Sequence, residues 1–104
     1  MLTARARLSH KLRDGAYRAR LAGCHVELVR IADALDLLAE THCYYCGALL
    51  DGIYSLEHKI PLAHKGPHEL ANICKACVKC NEAKHTMTED EFMAWLAGSY
   101  DSAA

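Results

Sequence analysis

The sequence predicts an α+β fold in which helices flank a short central segment rich in cysteine and histidine. Apolar residues recur at helical spacing over residues 1–40 and again after residue 88. Glycine and proline divide residues 41–87 into short runs that suit strands, turns and one short helix. This central segment holds five of the six cysteines and five of the seven histidines. We therefore expect a single domain whose chemistry lies in its centre.

Two helices are predicted in the first region, residues 1–40. The first is a basic helix over residues 3–22 that is interrupted near Gly15 and stopped by Gly23. The second covers residues 29–40, where apolar side chains follow the i, i+3, i+4, i+7 rule. Because its apolar face is one-sided, we expect this second helix to form the main packing surface of the domain.

The central and C-terminal regions are predicted from turn and cap signals. The central elements are a strand over 53–58, a loop over 61–69, a strand over 71–74 and a helix over 78–84. Thr88 and Glu91 form a capping box that opens the last helix, within the C-terminal helix and tail of residues 88–104. Phe92, Trp95 and Leu96 give this helix an apolar face.

The formal net charge is only −1, but the charges are segregated along the chain. Residues 1–30 carry a charge of +5 and residues 56–84 carry +2, whereas residues 31–55 and 85–104 each carry −4. The basic start suits an arm that holds phosphates, and the alternative is a solvated helix face. No run of about 18 apolar residues and no secretory signal is present, so we expect a protein inside the cell with no membrane partner.

Two cysteine pairs, Cys43-x-x-Cys46 and Cys77-x-x-Cys80, predict a structural zinc site. Each pair brings two thiolates together on a tight turn, and the 30 residues between the pairs let four sulfurs form one tetrahedron. Such a closed site adds folding free energy that a short chain needs. The alternative is that these cysteines are buried or form disulfides. We expect the remaining cysteines, Cys24 and Cys74, to be buried thiols.

Further polar residues are interleaved with the cysteine pairs in a fixed order. They are Glu57-His58 followed by Ile60-Pro61, then Asn72 five residues before the second pair, then Asn81 and Lys84. This order resembles the HNH endonuclease family over about half the chain, from Cys43 to Lys84, with Glu57 where that family more often has Asp.

The resemblance implies a ββα-metal (His-Me finger) core that holds one catalytic divalent cation. By position, Glu57 and Asn81 would bind this cation, His58 would be the general base, and Asn72 would hold the loop that orients His58. The implied reaction is hydrolysis of DNA phosphodiester bonds in a prokaryotic or phage-infected cytoplasm. Possible partners besides DNA are a second copy of the chain, as a homodimer, and a phage packaging or restriction system.

The chemistry of these residue types supports the same roles. A neutral imidazole with a pKa near 6.5 is a suitable base for activating water at cellular pH. Oxygen ligands from Glu57 and Asn81 suit a hard cation, Mg²⁺ or a similar ion such as Mn²⁺. Lys84 and His85 could contact a phosphate. The structural alternatives are a surface lysine at Lys84 and a helix cap at Asn81.

Other functions fit less well. His25-Val26-Glu27 has the H-x-E spacing of zinc-dependent deaminases, but no proline precedes either cysteine pair. His68-Glu69 begins an H-E-x-x pattern that ends in Asn72, where a zinc protease needs histidine. His64 and His68 are expected as loop residues because Gly66-Pro67 lies between them. The main alternative is a catalytically silent, zinc-organised DNA-binding or assembly module.

Overall fold

The fold is described over residues 2–99 from a computed structural model. Its helices are α1 (Ala4–Leu21), α2 (Leu35–Ala39), α3 (Val78–Lys84) and α4 (Glu89–Ala94), and its strands are β1 (Ser55–His58) and β2 (Ile73–Ala76). Single 3₁₀ turns lie at Ile31–Asp33, Leu62–His64 and Leu70–Asn72, and a π-helical turn, Trp95–Ser99, follows α4. The predicted α+β class is confirmed. The predicted tail over 100–104 lies outside the described residues.

Helix α1 is continuous. It begins at Thr3, whose hydroxyl accepts a hydrogen bond from the N–H of Ala6 (3.1 Å), and it ends before Gly23, whose φ of +74° favours glycine. The stop at Gly23 is therefore confirmed, but the interruption predicted near Gly15 is wrong. Gly15 lies on the buried face, where a Cβ atom would come within 3.1 Å of the His68 ring. Its missing side chain permits close packing and does not break the helix.

Residues 29–40 do not form the single amphipathic helix predicted from their pattern. They form a 3₁₀ turn and then α2, with Ala34 between the two at a non-helical φ of −119°. Lys75 of β2 donates hydrogen bonds to the carbonyls of Leu38 and Glu40 (3.1 and 3.0 Å) at the end of α2. The prediction is wrong because tertiary contacts outweigh the helical pattern of such a short segment.

The main packing surface on one side of the sheet is α1 and not the segment that includes α2. Leu8 and Leu12 of α1 are buried against Leu56 of β1 and Ile73 of β2. In contrast, Leu35 at the start of α2 is 53% exposed. Partly buried apolar residues of the segment before β1 cover the edge of this cluster. The N-terminal helix is therefore part of the domain core.

Strands β1 and β2 form an antiparallel sheet in which Glu57 pairs with Cys74 and His58 pairs with Ile73. Directly opposite residues share a face of the sheet, and successive residues alternate between faces. His58 therefore lies on the face that α1 covers, and Glu57 lies on the other face. Strand β1 is inside its predicted range, whereas β2 begins two residues later than predicted because Leu70–Asn72 form a 3₁₀ turn.

The helices after the sheet follow their predictions. Helix α3 covers the predicted residues 78–84. Helix α4 begins at Thr88, which makes both hydrogen bonds of the predicted capping box with Glu91. Phe92 of α4 is fully buried, and its ring meets the Tyr45 ring edge to face, with centroids 5.1 Å apart. Helix α4 thus packs on the buried cluster that contains Cys43, Cys74 and Cys80.

No helix within residues 2–99 is both long enough and apolar enough to span a bilayer.

Candidate active site and zinc cluster

The four cysteines of the two Cys-x-x-Cys pairs lie together just beyond the end of β2. The Sγ atoms of Cys43, Cys46, Cys77 and Cys80 all lie within 4.8 Å of one another, and those of Cys46 and Cys77 are 3.8 Å apart. Zn–S bonds of about 2.3 Å in a tetrahedron place the sulfurs about 3.8 Å apart. The cluster therefore fits a structural zinc ion, as the sequence predicted.

Local backbone geometry forms each half of this cluster. In the first pair, the N–H of Gly47 donates to the carbonyl of Cys43 (3.0 Å), and Gly47 has a φ of +75° that favours glycine. In the second pair, Cys77 is the N-cap of α3, and its Sγ accepts a hydrogen bond from the N–H of Cys80 (3.4 Å). An N–H that points at a sulfur favours the thiolate that zinc requires.

The remaining cysteines lie outside the cluster. Cys74 is a buried thiol in β2, as predicted, and burial raises its pKa to about 12. Among the described residues, it is not part of the group of sulfurs that could hold a metal ion. Cys24 was also expected to be buried but is only half-buried, with its Sγ 3.5 Å from the carbonyl oxygen of Leu62.

An open cavity of about 500 Å³ lies between α1, the end of β1, the loop that follows β1, and α3. We call it the central cavity. Four of the residues predicted for the site line it, namely Glu57, His58, Asn81 and His85. Arg18 of α1 also lines it and was not predicted as a site residue. The fold thus brings together residues from β1, from α3 and its C-terminal end, and from the N-terminal helix.

Glu57 and His58 reach the central cavity although they point to opposite faces of the sheet. Neighbours in a regular strand cannot face one point, so the pair needs a strand that bends or ends beside it. Strand β1 ends at His58, and Pro61 of the following loop also lines the cavity. The end of the strand therefore lets the carboxylate and the imidazole share one opening.

His58 is buried and contacts a second buried histidine. Its Nε2 lies 3.0 Å from Nδ1 of His68, and the two side chains are 4% and 1% exposed. Burial, followed by the electrostatic effects of His68, Arg18 and Lys84, lowers the pKa of His58 to about 4. The ring is therefore neutral at cellular pH. His68 was expected to be an ordinary loop residue, and no spacing in the sequence indicates this long-range contact.

Lys84 was predicted to contact a phosphate, but it is fully buried. Its Nζ donates hydrogen bonds to Oε1 of Glu57 and to the carbonyl oxygen of His58, both at 3.1 Å. Burial raises the pKa of Glu57, and the Lys84 ammonium offsets part of that rise. Lys84 is the last residue of α3, and its side chain points toward β1. It therefore supports Glu57 and His58 from inside the protein and is not free to contact a phosphate.

Asn72 is buried and ties the loop after β1 together. Its Oδ1 accepts a hydrogen bond from the N–H of Ile60 (2.9 Å), and its Nδ2 donates to the carbonyls of Ile60 (3.1 Å) and Pro67 (2.8 Å). Gly66 makes the turn possible, because a Cβ there would come within 1.8 Å of the Ile60 carbonyl oxygen. The loop beside His58 is therefore closed by one side chain.

The position of Asn81 argues against the alternative that it only caps a helix. The N-cap of α3 is Cys77, and Asn81 lies inside the helix, directly after Cys80. The cysteine cluster thus fixes the position of Asn81 through the peptide bond that joins it to Cys80. Arg18 could have been found from the sequence, because it shares the basic face of α1 with Lys11, seven residues earlier.

His25 and Glu27, which carried the deaminase alternative, lie apart from the four cysteines. Their ligand atoms group with Glu69 and are largely exposed. A deaminase would need a histidine or cysteine set that binds zinc with an open position. The closed four-cysteine cluster does not provide that position.

Comparison with known protein families agrees with this geometry. Residues 43–87 match the family described as HNH endonuclease. The chain contains an HNH domain. The matched segment runs from Cys43, the first cysteine of the cluster, to just beyond α3 and includes Glu57, His58, Asn72 and Asn81. No curated protein matches the chain.

The zinc cluster predicts that one cysteine substitution abolishes both metal and fold. Wild-type protein should contain about one zinc per chain by elemental analysis, and Cys43→Ser should lose the zinc and unfold, because folding and metal binding are coupled. Cys24→Ser, outside the cluster, is the matched control and should keep its zinc. A folded, zinc-free Cys43→Ser protein would contradict the cluster.

The buried ion pair predicts a large stability loss on removal of its cation. Lys84→Met leaves the Glu57 carboxylate buried without a partner and should lower the free energy of unfolding by about 3–5 kcal/mol. Lys79→Met, on the exposed side of the same helix, should change it by less than about 0.5 kcal/mol. Urea denaturation of zinc-loaded protein at neutral pH measures both. Equal losses in the two variants would argue against the pair.

Proposed function

We propose that this chain is an endonuclease that hydrolyses DNA phosphodiester bonds with a divalent cation and with His58 as general base. The observation that carries the proposal is the joint presence of Glu57, His58 and Asn81 in the central cavity of an HNH domain. Each of these residues has a separate support, because Lys84 contacts Glu57, His68 contacts His58, and Cys80 precedes Asn81.

The neutral state of His58 supports its role as base. Its low pKa leaves the ring unprotonated at pH 7, so it can accept a proton from the attacking water. A phosphate beside the ring adds negative charge and raises that pKa toward neutrality, which strengthens the base when substrate is bound. Arg18 and Lys84 act in the opposite direction, because nearby positive charge disfavours the imidazolium.

Glu57 and Asn81 are the proposed ligands of the catalytic cation. Lys84 donates to Oε1 of Glu57, and Oε2 would be the ligand oxygen. The amide oxygen of Asn81 would be the second protein ligand. These oxygen donors suit Mg²⁺ or Mn²⁺, which supplies positive charge for the oxygens of the scissile phosphate when bound. The Lys84 ammonium favours the ionised form of Glu57 and holds its carboxylate in place.

The DNA is proposed to run along the basic face of α1. A second open cavity, of about 410 Å³, is lined by His10, Lys11 and Asp14 and shares Arg18 and Asn81 with the central cavity. The two cavities are therefore adjacent, and we propose that together they form one groove from α1 to His58. Residues 1–30 carry a net charge of +5, which supports an attraction for phosphates along this path.

The partner and location predictions extend this proposal. Four thiolates set for zinc suit a reducing compartment, which supports the cytoplasm of a prokaryotic or phage-infected cell. One HNH centre cuts one strand, so a double-strand cut would need a homodimer or a second visit. A role in a phage packaging or restriction system remains a prediction from the resemblance. The alternative function is a silent zinc-organised DNA-binding or assembly module, which would bind DNA without cutting it.

The nuclease proposal predicts metal-dependent cutting of plasmid DNA. Zinc-loaded protein should convert supercoiled plasmid to the nicked form with Mg²⁺ or Mn²⁺ and should stop when the ion is chelated. His58→Ala should remove cleavage while DNA binding persists, because only the base is lost. His42→Ala is the control, because His42 is exposed and lies outside the central cavity, directly before Cys43. DNA binding without cutting across the metal series would favour the silent module.

The groove predicts which cations contribute to DNA affinity. Arg18→Ala should lower the affinity for a labelled duplex and reduce the slope of log Kd against log salt concentration by about one, because one fewer phosphate is neutralised. Arg30→Ala is a closely matched control, because both arginines are exposed and pair with an aspartate on their own segment (3.0 Å for Arg18 and 3.2 Å for Arg30). Fluorescence anisotropy with zinc-loaded protein, without added Mg²⁺ or Mn²⁺, measures binding alone. Equal effects of both variants would argue against the groove.

A further inference from the structure

The contact between His58 and His68 has a role beyond burial. We propose that His68 is a positioning residue, which fixes the tautomer and the ring orientation of His58 through its Nδ1 atom. This inference rests on the proposed function of His58 as a general base. His68 is not one of the described residues that line the central cavity. Any effect of His68 on the reaction therefore passes through His58.

The geometry is that of a hydrogen bond and not of ring stacking. Nε2 of His58 lies 3.0 Å from Nδ1 of His68, and the ring planes are tilted by 52° with their centroids 5.2 Å apart. Nitrogen lone pairs and N–H bonds lie in the plane of an imidazole ring, so a short nitrogen-to-nitrogen contact between two neutral rings requires one N–H donor and one lone pair.

Two arrangements of the shared proton are possible, and they differ in their consequence for catalysis. If His58 donates from Nε2–H, its Nδ1 keeps a lone pair that can accept a proton from water. If His68 donates instead, the neutral His58 ring carries its own proton on Nδ1 and cannot act as a base there. Only the first arrangement is kept after His58 takes up a proton on Nδ1. The resulting imidazolium still donates from Nε2 to the lone pair on Nδ1 of His68.

The backbone of His68 is held on both sides. Its N–H donates to the carbonyl of His25, and its carbonyl accepts from the N–H of Glu27, both at 2.8 Å. These bonds form a parallel bridge between Val26 and His68. The preceding carbonyl, of Pro67, accepts from Asn72. His68 is therefore anchored to a segment that follows α1 and to the residue that closes the loop, which makes it a rigid support for His58.

Helix α1 restricts both rings from the other side. A Cβ atom at Gly15 would lie 3.1 Å from Cε1 and 3.3 Å from Nδ1 of His68, and 3.4 Å from Cε1 of His58. The helix backbone thus packs directly against the histidine pair, and glycine is the residue that allows this approach. Burial of the pair excludes water that could replace the contact, so the orientation of His58 depends on His68.

The test compares two amides that imitate different ring nitrogens. His68→Asn places an amide oxygen close to the position of Nδ1, so it can still accept from His58, whereas His68→Gln places its oxygen nearer the position of Nε2. We expect His68→Asn to keep kcat near the wild-type value and His68→Gln to lower kcat by about 10- to 100-fold, with KM for DNA unchanged. Zinc content and thermal midpoint of both variants show that each is folded.

Nitrogen NMR of labelled histidine gives a readout that needs no variant and no cleavage. In the wild-type protein without DNA, we expect neutral His58 to carry its proton on Nε2, and we expect a mixture of tautomers in His68→Gln. A wild-type proton on Nδ1 would overturn the proposal. So would equal kcat values in wild type and His68→Gln, or equal losses in both amide variants. If wild-type protein does not cut DNA, the nuclease proposal fails, and the tautomer measurement still decides the role of His68.

Discussion

The four-cysteine cluster joins two parts of the chain, and a zinc ion bound there would add folding free energy to a domain with a small core. Its sulfurs come from a turn before β1 and from the turn that opens α3, and all lie within 4.8 Å. Helix α3 is only seven residues long, so its direction depends on its first turn, which begins at Cys77. Asn81 and Lys84 follow on that helix, and both therefore depend on the cluster for their positions.

The candidate site places charged and titratable groups in the interior, and each of them has a partner from another element. Glu57 has Lys84 of α3, and His58 has His68 of the following loop. Side chains alternate along β1, so Glu57 and His58 point to opposite faces of the sheet. Both still line the central cavity because the strand ends at His58. Activity and stability are therefore linked, because loss of a partner leaves a buried polar group unpaired.

Sequence reasoning succeeded where the interaction is local. The capping box at Thr88, the stop at Gly23 and the range of α3 depend on residues within one or two turns. It failed where distant residues decide the outcome. Ala34, where the predicted helix breaks, is buried, and Lys75 of β2 bonds the carbonyls at the end of α2. Lys84 points inward because its ammonium contacts the Glu57 carboxylate. A pattern of spacing contains no information on such contacts.

The order of residues alone predicted the α+β class and the grouping of four cysteines, which the structure confirms, and it also predicted the roles of Glu57, His58 and Asn81, which stay predictions. These features follow from short spacings, because two thiolates or one capped turn need only a few neighbouring residues. The tertiary structure alone decided that Lys84 supports the site from within and that α1 closes over the histidine pair at Gly15. Both depend on close packing between elements distant in sequence, where the space available to one atom determines which residue fits.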